Sequence, residues 1–126
     1  ALSQLYVLDT CHAGGLDYVI SGLYDARISV LAHKMGLHLF AGTSSLQNAL
    51  DGYQGNGLFT HTLLTGLRNN PAADSNKDHA VSIAELGAFS KDYTKIIGKT
   101  IHFEQTPLIV NFGQDQLLYR LLNSNQ

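Results

Sequence analysis

An uninterrupted apolar run, Leu-Tyr-Val-Leu at residues 5–8, stops at a polar segment that carries Asp9, Cys11 and paired glycines. A strand buried on both faces of a parallel sheet has this continuous apolar character, and the ligand crevice of such a sheet lies beyond the carboxyl ends of its strands. Gly14 and Gly15 let the backbone turn sharply and approach a ligand closely. The pattern predicts an α/β fold with a functional loop directly after this strand.

Cys11 is the only cysteine in the sequence, and it lies in this polar loop rather than in the apolar run. A buried cysteine often serves only as a small apolar side chain, whereas a thiol beside a cleft can act as a nucleophile. The residues alone support both roles equally. A single cysteine forms no internal disulfide, which is compatible with a reducing compartment, and we expect a cytoplasmic protein.

The rest of the chain continues the α/β pattern. Residues 36–42 form a second apolar run that ends in Thr-Ser-Ser at residues 43–45, so polar residues again follow the carboxyl end of a strand. The other predicted elements are a helix over residues 57–70, a helix over residues 82–97 that Gly98 ends, and a last strand over residues 105–112. With 126 residues, 44% of them hydrophobic and 14% charged, the chain is one globular domain at most.

A polar segment that begins at residue 74 has the ligand spacing of an EF-hand calcium loop. Oxygen-bearing side chains stand at its positions 1, 3, 5, 9 and 12, namely Asp74, Asn76, Asp78, Ser82 and Glu85. His79 occupies the sixth position, where such a loop requires glycine for its sharp turn, and this departure weakens the calcium interpretation. The alternative is a polar turn in which Ser82 caps the next helix and Glu85 completes a capping box. Both interpretations stay open, and Ca²⁺ is the one cofactor that the sequence indicates.

The segment Asp-Thr-Cys-His-Ala-Gly at residues 9–14 resembles the motif around the nucleophile of metacaspases and other caspase-like cysteine peptidases. The likeness continues in the family's order through Ala-Gly-Thr-Ser-Ser at 41–45, Gly-Leu-Phe-Thr at 57–60, Gln-Thr-Pro at 105–107, and Gly113 with Asp115. This resemblance covers nearly the whole chain. It implies a three-layer α/β/α sandwich with a mostly parallel sheet, of which residues 1–126 form the carboxyl-terminal part.

The resemblance also implies that Cys11 is the nucleophile of a cysteine endopeptidase. In this family the general base is a histidine in a His-Gly context on a loop upstream of the cysteine strand. None of the six histidines in the sequence is followed by glycine, and the chain begins ten residues before Cys11. We therefore expect the catalytic histidine and the upstream strands in an amino-terminal segment of the same or a separate chain, which is the expected partner of this one.

Asp9 is the candidate for substrate specificity. Asp9 lies two residues before Cys11 at the extended end of a strand. Its carboxylate therefore points to the same side as the thiol and complements a substrate Arg or Lys. Metacaspases, which this segment resembles, prefer substrates with basic residues. Alternatively, Asp9 only caps the loop. Ser44 and Ser45, by the same resemblance, line the substrate groove. The net charge of −2 and the lack of a long apolar segment give no reason to expect nucleic acid or a membrane as a partner.

Two further function classes stay open beside a peptidase that needs no cofactor. The chain is alternatively a catalytically inactive caspase-like regulatory scaffold, in which the fold is kept without a complete catalytic pair. It is alternatively an EF-hand-like calcium-binding module in which Cys11 has no chemical role. A histidine followed by glycine in the upstream segment argues against the first, and failure to bind calcium argues against the second.

Overall fold

The computed structural model describes residues 3–8, 25–42, 57–102 and 105–122. The strands in these ranges are β1 (Gln4–Leu8), β2 (Leu37–Ala41), β3 (Ala80–Ser82), β4 (Leu108–Asn111) and β5 (Leu117–Arg120). The helices are α1 (Ala26–Met35), α2 (Leu58–Leu67) and α3 (Ile83–Thr100), with a 3₁₀ turn at Pro71–Ala73. The fold is mixed α/β, as the sequence predicts.

The larger described sheet has the strand order β1-β2-β4. β1 and β2 are parallel, with Leu5 opposite His38 and Leu8 opposite Ala41. β4 pairs with the other side of β2 in the antiparallel direction. This sheet thus has one parallel and one antiparallel pairing among its described strands, whereas the sequence predicts mostly parallel strands. β3 and β5 form a separate antiparallel pair that the sequence does not predict.

Alternate residues of β2 belong to two different hydrophobic clusters. Leu39 packs in one cluster with Ala32 of α1 and with residues of β4. Phe40 packs in the other with Leu63 of α2 and Leu86 of α3. Because successive side chains of a strand point to opposite faces, α1 contributes to one face of the sheet, and α2 and α3 contribute to the other.

Glycines allow close contact between helices and between helix and sheet. A Cβ atom at Gly66 of α2 would lie 2.8 Å from Cδ1 of Leu86 on α3. A Cβ atom at Gly87 of α3 would lie 2.8 Å from Cγ2 of Ile109 and 2.9 Å from Cζ of Phe40. α3 therefore rests on the sheet and on α2 at distances that a larger side chain at these two positions would prevent.

The prediction that Gly98 ends the second long helix is wrong. α3 continues to Thr100, and Gly98 is buried inside it. Glycine costs only about 1 kcal/mol relative to alanine in a helix interior, and tertiary packing readily outweighs that cost. Ile97, directly before it, is buried, so packing of the last turns keeps the helix intact.

β1 lies at one end of the described sheet, where only β2 pairs with it. Tyr6 and Val7 point to opposite faces and are 50% and 45% exposed. Ile28 and Leu31 of α1 are also exposed. Within the described ranges, β1 therefore has one side without a paired strand and carries exposed apolar side chains. None of the helices in these ranges combines the length and apolar character needed to cross a membrane.

Candidate functional sites

The predicted nucleophile Cys11 and the predicted substrate-binding residues Asp9, Ser44 and Ser45 lie outside the described residues. The strands that lead to them are described. β1 ends one residue before Asp9, and β2 ends three residues before Ser44. The ends of these two strands define the sheet edge from which the chain continues toward the predicted site residues.

That edge combines the ends of three strands. Leu8 at the end of β1 is opposite Ala41 at the end of β2, because the two strands are parallel and in register. Leu108, the first residue of the antiparallel β4, is also opposite Ala41. The chain therefore leaves this edge after Leu8 and after Gly42, and it returns to the edge at Leu108, although the sequence separates these points widely. We call this the carboxyl edge of β1 and β2.

Gln105 connects two of these segments directly. Its side chain is 1% exposed, and its Nε2 donates a hydrogen bond of 2.5 Å to the carbonyl oxygen of Gly42. Gly42 follows the last residue of β2, so this bond ties the start of the 105–107 segment to the carboxyl edge. Sequence reasoning assigned Gln105 to the Gln-Thr-Pro motif but gave it no role. The only sequence signal for a role of Gln105 was its position as a polar residue directly before a predicted apolar strand.

His38 is fully buried, and its Nδ1 lies 2.7 Å from Oδ1 of Asn111 on β4. It stands opposite Leu5, near the amino end of β2, three residues from Ala41 at the other end. Because a strand rises about 3.3 Å per residue, His38 lies roughly 10 Å from the carboxyl edge. This buried histidine is part of the β2–β4 packing.

Gly113 and Asp115, which belong to the last segment of the resemblance, have structural contacts. A Cβ atom at Gly113 would lie 2.6 Å from the carbonyl carbon of Gly36 and 2.7 Å from Nε2 of His38. Asp115 Oδ1 accepts a hydrogen bond of 2.9 Å from the Ala84 N–H, in the first turn of α3. Both residues hold elements together and need no catalytic role to explain them.

The acidic loop at residues 74–85 lies wholly within the described residues. Carboxylate oxygens of Asp74, Asp78 and Glu85 all lie within 4.8 Å of one another. Asp74 and Glu85 are buried, whereas Asp78 is exposed. Asn76, a fourth predicted ligand, contacts the cluster because its Oδ1 accepts the Asp78 N–H at 3.2 Å. The fold thus gathers the carboxylates that the EF-hand spacing singled out.

Backbone hydrogen bonds shape this loop around two carboxylates. Asp74 accepts the N–H groups of Asp78 at 3.2 Å and His79 at 2.9 Å. Glu85 Oε2 accepts the Asn76 N–H at 3.2 Å and the Ser75 hydroxyl at 3.3 Å. Both carboxylates therefore accept hydrogen bonds from the loop itself.

His79 supplies the turn for which the EF-hand pattern uses glycine. Its φ is 65°, and Lys77 has φ 59°. Histidine is among the non-glycine residues that adopt this left-handed region more often than most, although the conformation is strained relative to glycine. The departure at the sixth position therefore does not prevent the left-handed backbone turn at His79.

The capping-box prediction is confirmed. Ser82 Oγ accepts the Glu85 N–H at 3.2 Å, and the Ser82 N–H donates to Glu85 Oε1 at 3.1 Å. Ser82 is the N-cap of α3 and therefore uses its hydroxyl in the cap. Glu85 serves the cap with Oε1 and the loop with Oε2, so the cap alone does not decide whether the loop binds a cation.

Comparison of this chain with protein-family models, with curated proteins and with solved structures gives no match.

Proposed function

We propose that this chain is the cysteine-bearing part of a cysteine endopeptidase of caspase or metacaspase type. The main structural support is the in-register parallel pairing of β1 and β2, with Leu8 opposite Ala41. In α/β sheets, ligands bind outside the carboxyl ends of parallel strands. The segment that carries Cys11 and the segment that carries Ser44 and Ser45 both leave the sheet from this edge.

The proposed architecture is the carboxyl-terminal part of a three-layer α/β/α sandwich. An antiparallel strand at the edge of an otherwise parallel sheet is common in α/β folds, so β4 is compatible with a mostly parallel parent sheet. Helices contribute to both faces of the described sheet. The amino-terminal part of the domain, in the same or a separate chain, would pair with the edge of β1 that has no partner among the described strands, and it would bring the catalytic histidine.

In the proposed reaction the Cys11 thiolate attacks the carbonyl carbon of the scissile peptide bond. The upstream histidine accepts the thiol proton and returns it to the leaving amine as the carbon–nitrogen bond breaks. Water then hydrolyses the thioester and restores the thiol. The Cys11 N–H is a suitable donor to the oxyanion that forms during attack. A reduced thiol agrees with a cytoplasmic location.

Asp9 would select substrates with Arg or Lys before the scissile bond. A carboxylate two residues from the nucleophile places a negative charge beside the reacting carbonyl, and arginine can pair with it through two hydrogen bonds. Ser44 and Ser45 would line the same groove at the end of β2. Peptide or protein segments with a basic residue are therefore the proposed substrate class.

The experiment is cleavage of short fluorogenic peptides ending in Arg, Lys or Asp by the parent protein that carries the upstream segment. Cys11→Ala should abolish cleavage. Asp9→Asn should reduce the rate of cleavage after Arg and Lys, measured per folded molecule. A folded parent protein without Cys11-dependent cleavage of any peptide would instead support the inactive regulatory scaffold. Cleavage after Asp alone would refute the role of Asp9.

Calcium binding at the acidic loop is a second candidate function. It is favoured by the three clustered carboxylates and by the left-handed turn at His79. Isothermal titration with CaCl₂ should give binding that Asp78→Asn weakens at least about tenfold, since the ligand charge falls. The control is Asp92→Asn on the exposed side of α3. If both variants bind Ca²⁺ with equal affinity, or if the unmodified protein gives no heat of binding, this loop is not a calcium site.

A further inference from the structure

Gly42 lies just outside the hydrogen-bonded ladder of the sheet. The β2–β4 pairing ends with Ala41 opposite Leu108, and the β1–β2 pairing ends with Leu8 opposite Ala41. Among the described residues neither ladder extends to Gly42, and glycine is the residue whose backbone is least restricted by its own side chain. A contact outside these two ladders can therefore set the direction in which the chain leaves the sheet at Gly42.

The Gln105 side chain makes that contact. It reaches Gly42 across 63 positions of sequence, and the 2.5 Å distance from Nε2 to the carbonyl oxygen is that of a short hydrogen bond. A primary amide that is 1% exposed must be hydrogen-bonded, because an unpaired buried polar group is costly. Pro107, two residues later, is also buried and limits the freedom of the backbone around Gln105.

We propose that Gln105 is a positioning residue, which fixes the Gly42 carbonyl and thereby the geometry of the carboxyl edge where cleavage takes place. This inference rests on the proposed peptidase function. The proposed role requires no contact of Gln105 with the substrate or the thiol. It acts through Gly42, and its removal lets the end of β2 rotate away from the position that the substrate requires.

The test compares three variants in the parent protein that carries the upstream segment, with a peptide substrate ending in Arg. Gln105→Met has a similar length but no donor, Gln105→Glu has nearly the same shape, and Gln114→Met is the control at an exposed glutamine. Both kcat and KM are measured per folded molecule, with the folded fraction from circular dichroism and the reactive thiol counted by alkylation with iodoacetamide.

For Gln105→Met we expect kcat to fall by about 10-fold to 100-fold, since small misplacements of reacting groups have effects of this size. KM should change by less than about threefold, because substrate binding is largely kept. Gln114→Met should match the unmodified enzyme. For Gln105→Glu the kcat relative to the unmodified enzyme should rise as the pH is lowered, because only the protonated carboxyl can donate to the Gly42 carbonyl.

Each other result overturns a specific statement. An active parent protein with unchanged kcat in Gln105→Met refutes the positioning role and leaves the peptidase proposal intact. If the loss of activity in Gln105→Met is explained entirely by a smaller folded fraction, the positioning role is also refuted, because the contact then contributes only to stability. If Gln105→Met does not fold, a pH-independent ratio for Gln105→Glu refutes it. An unmodified parent protein without Cys11-dependent cleavage removes the peptidase proposal and this inference together.

Discussion

Glu85 connects the acidic loop to α3, and its two roles can be separated by substitution. Oε1 accepts the Ser82 N–H at 3.1 Å in the capping box. Oε2 accepts the Asn76 N–H at 3.2 Å and the Ser75 hydroxyl at 3.3 Å. Glu85→Gln keeps an acceptor for the cap, because glutamine also serves at this position of a capping box. It replaces Oε2 by an amide NH₂ that cannot accept the loop hydrogen bonds.

The size of the effect follows from these bonds. Two loop hydrogen bonds to a charged acceptor are lost in Glu85→Gln, but Ser75 and Asn76 are exposed, so water replaces part of them. We therefore expect the free energy of unfolding to fall by about 1–2 kcal/mol. Glu85→Ala also removes the capping interaction, which adds about 1 kcal/mol and gives a total of about 2–3 kcal/mol.

The assay is urea unfolding of the protein without added calcium, monitored by circular dichroism. Asp92→Asn, at an exposed position of the same helix, is the control and should change stability by no more than about 0.5 kcal/mol. Equal losses in Glu85→Gln and Glu85→Ala would show that the cap contributes nothing. If neither variant differs from the control, the loop and cap assignments for Glu85 are both wrong.

Three further predictions concern packing and helix termini. Gly87→Ala should lower the free energy of unfolding by about 1–3 kcal/mol, because the new methyl group would overlap Ile109 and Phe40, and the urea midpoint measures this. Thr62→Val should cost about 1 kcal/mol in the same assay, since the buried hydroxyl donates to the Phe59 carbonyl at 2.8 Å, and an unchanged midpoint would contradict this. Asp25→Ala should cost about 1 kcal/mol, because Oδ1 accepts the Arg27 N–H at 3.0 Å as the N-cap of α1, whereas Asp25→Asn should be nearly neutral.

The elements that could be predicted from the sequence are those with strong local signals. The apolar runs predicted β1 and β2, although each strand begins or ends one residue from the predicted bound. Helical spacing predicted α2 and α3, and the pair Ser82 and Glu85 marked the start of α3 through a capping box that the structure contains. These signals involve neighbours within one turn or one strand, so no distant contact is needed to interpret them.

Predictions failed where distant contacts outweigh local preference. Gly98 is a local signal for a helix end, but burial of the last turns of α3 keeps it helical. β3 and β5 were missed because each is short and is defined by pairing with the other, with Ala80 opposite Arg120. His79 has a φ of 65°, and its N–H donates a hydrogen bond to Asp74 Oδ2, whereas the effect of His79 on calcium binding stays a prediction.

The sequence by itself determined which segments are apolar, where polar loops interrupt them, and which helix carries its own cap, because these properties arise from side-chain chemistry and nearest neighbours. Tertiary structure decided which strand ends meet. The register of Leu8 with Ala41 and the contact of Gln105 with Gly42 depend on how the sheet and its helices pack around one core. Residues that are 63 positions apart carry no mutual signal in a single sequence, since their interaction exists only after the chain has folded.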